Sequence, residues 1–299
     1  MIDYRLLQAL AAVIKNGSFE KAAKHLHITQ SAVSRRINRL ESLLGEPVIV
    51  RCQPPRATKT GTKLLNHLQQ VQQLEVSIGV GFQPDDPDNN LPLTITLASN
   101  ADSLATWLPE ALAFPGFDSE KKLSFDISIV DQSVGLNKMK SGEVMACICD
   151  SSKPVNGGLS RYLGDLQYQV VASPNFIHRH QLNGIKGLHE LPCLVFDQDD
   201  QLQHRFLQKY CGHAPKYIHL CPSSEGFKQA CIAGLGYGLL PTLQIDDAIS
   251  AGALVDLRPD YTLDTSLYWH YWQTESEQLK SLREHALAIS RRVLPQSAT

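Results

Sequence analysis

The sequence has no run of roughly 18 uncharged apolar residues, the length a helix needs to cross a bilayer. Its first residues, Met1-Ile2-Asp3-Tyr4-Arg5, lack the basic segment and apolar stretch of a secretory leader, so a cytoplasmic protein with no membrane partner is expected. A P-loop, a Gly-x-Ser-x-Gly elbow and a His-Glu-x-x-His pair are also missing, and an enzyme is not expected. Charge is modest, at 19% of residues against 43% hydrophobic, which suits a folded chain and argues against disorder. The seven cysteines are irregularly spaced and read as reduced thiols. Cys147 and Cys149 share a strand face and Cys52 lies in a short-stranded wing. None has notably basic surroundings, so activated thiolates are not expected. His25/His27 and His178/His180 have no cysteine or carboxylate cluster at ligand spacing; no metal or cofactor is expected.

What is present is an asymmetry. Of the 299 residues, the first 60 hold ten Lys+Arg against four Asp+Glu, a net of +6. The remainder holds 18 against 26, a net of −8. A basic head on an acidic body suggests that one end meets a polyanion.

In the head, Leu7, Leu10, Ala11 and Ile14 recur at helical spacing, and Asn16-Gly17 closes that helix. Ser18 caps a short second helix carrying Phe19, Ala22, Ala23 and Leu26. Thr29 caps a third, from Gln30 to about Leu44, which Gly45 ends. Val33, Ile37, Leu40 and Leu44 give this third helix its core face. The opposite side carries Gln30, Ser31, Ser34, Arg35 and Asn38, groups that suit base edges and phosphates in a major groove. Arg36 and Arg39 flank it and suit backbone phosphates; an ordinary solvated face is the alternative. Past Gly45, two short strands around Gln53-Pro54-Pro55 form a wing bearing Arg51 and Arg56, with Lys59 leading out.

These residues carry a resemblance. Phe19-Glu20-Lys21-Ala22-Ala23, Thr29-Gln30-Ser31-Ala32-Val33-Ser34, Leu44-Gly45 and the Arg51…Thr58…Gly61 segment are similar to the LysR-type regulator signature. The resemblance implies an N-terminal all-α winged helix-turn-helix at 1–60. It also implies a dimerisation linker helix and hinge at 61–90, and a two-lobed, periplasmic-binding-protein-like α/β effector domain at 91–299. Lobe I is expected at about 91–165 and 266–299, and lobe II at about 166–265. Double-stranded DNA with an inverted-repeat operator is the implied partner. So are a second copy of the chain, as a dimer or a dimer of dimers, and RNA polymerase.

The linker itself repeats Leu64, Leu68, Val71, Leu74 and Ile78 at intervals of three and four, the stripe of a two-helix seam or of a helix packed on its own domain. Beyond Leu91, strands alternate with helices, as in an α/β body. A single helix is expected around Asp102–Ala113, and the last strand named is Gly238–Leu240. In such lobes ligands sit at strand C-termini. That rule selects Ser99, Asn100, Asp102, Ser103, Asp131, Asp197, Ser223, Ser224 and Glu225, although helix capping explains many of them equally well. The run from Asn100 to Pro109, with Ser223-Ser224-Glu225-Gly226-Phe227 and Leu267-Tyr268-Trp269-His270, resembles the ArgP and LysG branch of the family. That branch implies lysine or arginine as the small-molecule effector; another metabolite or thiol oxidation is the alternative signal.

Overall fold

The computed structural model describes residues 3–77, 93–113, 123–130 and 132–297. Helix α1 spans Tyr4–Asn16, and Asp3 caps it by accepting a hydrogen bond from the Arg5 amide at 3.0 Å. Gly17 ends α1 at a φ of 65°, a left-handed conformation that costs glycine little. Ser18 caps α2 (Phe19–His25), and Thr29 caps α3 (Gln30–Leu44) by accepting from the Ala32 amide at 3.2 Å. Strands β1 (Ile49–Val50) and β2 (Arg56–Ala57) pair antiparallel as the wing, and α4 runs over Lys59–Ser77.

The core of the head is the set the periodicity named. Leu7, Leu10, Ala22, Ala23, Val33, Ile37 and Leu40 are all buried together. Leu64 and Leu68 of α4 are buried in that same cluster. The first two positions of the linker stripe thus pack on the head itself; Ile78 lies outside the described residues.

The body alternates β3 (Leu93–Ser99), α5 (Ala101–Ala105), α6 (Leu108–Leu112), β4 (Leu123–Ile129), α7 (Gln132–Lys140) and β5 (Ala146–Cys149). A 15-residue strand, β6 (Gly158–Ala172), leads into α8 (Pro174–Arg179), β7 (Pro192–Val195), α9 (Leu202–Cys211) and β8 (Tyr217–Leu220). Next come α10 (Ser224–Ile232), β9 (Gly238–Pro241), α11 (Thr242–Ser250), β10 (Val255–Asp256), β11 (Leu263–Trp272) and α12 (Glu277–Val293). The main sheet has the order β10-β6-β11-β5-β3-β4, with β9 also on β6. The two long strands organise it. The first part of β6 pairs antiparallel with β11, and its last residues pair with β9 and β10. β3 pairs in parallel with both β4 and β5, the arrangement that helical crossovers produce.

One expectation needs correction. The single helix anticipated over Asp102–Ala113 is two helices, α5 and α6, separated at Thr106-Trp107. Pro109 occupies the first turn of α6; it has no N–H to donate and its ring opposes the preceding turn, so one continuous helix is prevented. The break drops Trp107 into the core, where it is 2% exposed.

Candidate nucleic-acid interface and ligand cavity

Helix α3 is two-faced. Its core residues are buried, while Gln30, Ser31, Arg35, Asn38 and Arg39 are exposed and Ser34 and Arg36 are half-buried. The Arg35 Nε donates to the Ser31 carbonyl at 3.4 Å. From the wing, Arg51 Nη2 donates to Asn38 Oδ1 at 3.0 Å, so the wing and α3 touch through two of the expected residues. Arg56 in β2 and Lys59 at the start of α4 are exposed as well. Exposed guanidinium groups on one helix and its adjoining wing form a surface able to neutralise phosphates, each displaced counterion adding affinity.

The body holds a cavity of about 520 Å³, within the range that takes small metabolites. It opens where β3, β4 and β5 end, at Asn100, Val130 and Asp150. Its far wall comes from the segment after β7, from the start of α9 and α10, and from Leu239-Leu240-Pro241. Thr265 and Leu267 of β11 and Tyr168 of β6 complete it. Among the described residues, five carboxylates line this space, Asp102, Asp150, Asp197, Asp199 and Asp200, against one guanidinium, Arg205.

Asp102 sits where the two walls meet. Tyr168 OH donates to its Oδ2 at 2.8 Å, and Ser224 Oγ donates to its Oδ1 at 2.8 Å. Burial pushes its carboxyl above the usual range and the charge of Asp200 adds to the push, while the bonds from Ser224 and Tyr168 work against it. Asp150 is raised as well, by burial first and then by Cys149, with Arg205 pulling the other way. Asn100 lines the cavity beside Asp102 and presents a buried Oδ1 with no hydrogen-bond partner among the described residues. A cluster of carboxylates and an unused carbonyl oxygen in a half-enclosed space favours a cation that also donates hydrogen bonds.

A family model described as bacterial regulatory helix-turn-helix protein, lysR family, matches residues 4–62, and one described as LysR substrate binding domain matches residues 91–290. The chain belongs to the LysR family. It is 46% identical over 290 residues to the HTH-type transcriptional regulator ArgP of Pseudomonas aeruginosa, covering 96% of each chain. The crystal structure of ArgP from Mycobacterium tuberculosis superposes with a TM-score of 0.79 at 32% identity, covering 99% of this chain and 100% of that one. Full-length LysG from Corynebacterium glutamicum with bound effector Arg gives 0.71 at 28% identity, covering 98% and 100%. The protein is therefore a DNA-binding transcription regulator with a small-molecule effector domain, and its relatives are regulators, not enzymes.

In this LysR-family protein, four of the nine residues expected to meet an effector line the cavity: Asn100, Asp102, Asp197 and Ser224. Ser99 and Ser103 are fully buried beside it; the Ser99 hydroxyl donates to the Asn100 carbonyl at 3.2 Å. Ser223 and Glu225 do not line it. Ser223 caps α10 by accepting from the Gly226 amide at 3.1 Å, and Glu225 accepts from Gln229 at 2.9 Å. Capping is the better reading for Ser223. Asp131 lies outside the described residues. Asp197 holds a turn and also lines the cavity: its Oδ1 accepts from the Asp199 and Asp200 amides ahead of α9. The sequence reading missed Asp150, Tyr168, Asp199, Asp200 and Arg205. Asp150 directly follows β5, so the strand-end rule would have found it; Tyr168 and Arg205 carry no such local mark.

The expectation about thiols also changes. His270 on β11 stands opposite Cys147 on β5, and the Cys149 thiol is held low. The first cause is a hydrogen bond from Cys147, and His270 helps against the effect of burial.

Proposed function

We propose that this regulator reads double-stranded DNA as a dimer through α3 and the wing, and that its effector is arginine or lysine, bound in the body's cavity. On this reading residues 1–60, 61–90 and 91–299 are head, linker and effector domain, and the cavity lies between lobe I (about 91–165 and 266–299) and lobe II (about 166–265). The observation that carries the effector is the charge of the cavity wall, five carboxylates to one guanidinium. Asp102 and the Asn100 carbonyl oxygen suit the cationic end of a basic amino acid, and Arg205 suits its α-carboxylate. The LysG neighbour with bound arginine supports the same reading. An effector acts here only by favouring one arrangement of the lobes, so it must bind that arrangement more tightly. Two heads in a symmetric dimer meet two half-sites, hence an inverted-repeat operator in cytoplasmic DNA.

Titration calorimetry of the full-length protein tests the effector. Arginine or lysine should bind with measurable heat, while norleucine, which keeps the chain but lacks the distal cation, should not. Norleucine binding as tightly as lysine would remove the basis of the proposal. In the head, Arg35→Ala should weaken binding to an operator fragment by about 1–3 kcal/mol if the guanidinium reads a base. Unchanged affinity in a gel-shift titration would take that role from Arg35. Substituting Arg36 or Arg39 should instead weaken all sequences alike and lower the salt dependence by about one counterion each.

A further inference from the structure

Antiparallel pairing sets His270 opposite Cys147 and Tyr268 opposite Cys149. Residues directly opposite each other, and residues two apart along a strand, share one face of a sheet. Cys147, Cys149 and His270 therefore stand together, and all three are buried. His270 Nε2 lies 2.7 Å from the Ser151 carbonyl oxygen, which can only accept, so Nε2 carries the ring proton. In the neutral ring Nδ1 is then the basic nitrogen; it is buried and has no hydrogen-bond partner among the described residues. Cys149 at the same time lines the 520 Å³ cavity, next to Asp150. One thiol thus faces an unused base on one side and the cavity on the other.

We propose that Cys149 is an oxidation site, a thiol on the cavity wall served by His270 and open to hydrogen peroxide or a small organic hydroperoxide. His270 Nδ1 takes the thiol proton, and the thiolate sulfur attacks a peroxide oxygen. The S–O bond forms as the O–O bond breaks, and two electrons pass from sulfur to oxygen. The departing hydroxide, or alkoxide, recovers the proton from the imidazolium and leaves as water or alcohol. The product is a sulfenic acid on Cys149. The added oxygen narrows the space beside Asp150.

The surroundings agree with this chemistry. The Cys149 thiol is pulled down, first by the hydrogen bond from Cys147 and further by His270 against the effect of burial, whereas burial pushes Cys193 up to about 12 and raises Cys231 as well. Among the described residues, Asp150 is the charged group whose interaction with a Cys149 thiolate is unfavourable, and Arg205, on the same cavity wall, offsets Asp150. From β3 and α7 the neighbours are Ala98, Leu136 and Met139, none of which titrates.

The test is peroxide treatment of the full-length protein with dimedone present, and mass spectrometry of each cysteine peptide. At about pH 6, Cys149 should be trapped roughly tenfold faster than the exposed Cys52, because the thiolate is the reacting form. His270→Asn should slow Cys149 by roughly tenfold and leave Cys52 unchanged, since Cys149 has the imidazole close by and Cys52, in the head, does not. Cys149 reacting as slowly as Cys193 and Cys231, or at an unchanged rate in His270→Asn, would overturn the proposal. If that variant fails to fold, the wild-type pH profile decides. A Cys149 rate already at half its maximum below about pH 7 supports the site, and a rate that rises only near pH 8.5, as for a free thiol, removes it.

Discussion

Asp102→Asn should leave the regulator folded and lower its arginine affinity by about 100-fold, or ~2.7 kcal/mol, the usual scale for removing one partner of a buried charge pair. The substitution keeps the shape, and the new amide can still accept a hydrogen bond from Tyr168 or Ser224. What it removes is the carboxylate at the meeting of the two cavity walls. The ligand-free protein should not suffer, because burial and Asp200 already oppose the charge on Asp102. Its carboxyl titrates higher in the folded protein than in the unfolded chain, so over the acidic window between those two values the folded state binds more protons. Stability of the ligand-free protein therefore falls as pH rises through that window, and the Asn variant should lack this loss. Arginine affinity runs the other way: it should weaken as acid protonates Asp102. Calorimetry of both proteins across the acidic range, paired with thermal unfolding, reads these effects. Arginine bound by Asp102→Asn within twofold of wild type would show that the cation sits elsewhere.

Gly61→Ala should destabilise the head by about 2–3 kcal/mol and weaken DNA binding with it. Helix propensity alone predicts the opposite, since alanine in a helix gains up to about 1 kcal/mol over glycine. Packing decides the sign. A Cβ on Gly61 would lie 2.1 Å from the Val48 carbonyl oxygen and 3.3 Å from Ala57 Cβ, both in the wing. That carbonyl accepts from the Thr58 amide at 3.0 Å, so it cannot retreat without opening the wing that carries Arg51 and Arg56. Gly45→Ala is the control. It has a φ of 74° and nothing within 4 Å, so its cost is the roughly 1–2 kcal/mol of left-handed backbone strain alone. Urea unfolding with gel-shift titration distinguishes the two. A Gly61→Ala protein with an unchanged midpoint and unchanged DNA affinity would contradict the close approach of α4 to the wing.

The head was legible almost to the residue. Ser18 and Thr29 cap the helices they were expected to cap, and Val33, Ile37 and Leu40 face inward at their predicted spacing. The body was legible as alternation and as strand ends, enough to place Asn100, Asp102, Asp197 and Ser224 on the cavity wall. It was not legible where one residue type serves two ends. Ser223 and Ser224 are neighbours with the same chemistry, yet one caps α10 and the other donates into the cavity. Nor did spacing reveal that Leu64 and Leu68 would be buried in the head, because a stripe on a helix records an apolar partner without saying which.

By itself the sequence determined the winged head, its outward basic face, the α/β class of the body and the family, because caps, periodicity and charge act between residues close along the chain. Only the tertiary structure decided which carboxylates share a cavity, that Asp102 is held above its ordinary value, and that His270 stands opposite Cys147. Those properties depend on burial and on contacts between segments as distant as Asp102 and Ser224, or Cys149 and His270. Desolvation and electrostatic coupling between such segments have no counterpart in local spacing; they arise when long-range contacts such as the β6–β11 pairing and the Ser224–Asp102 bond bring distant segments together.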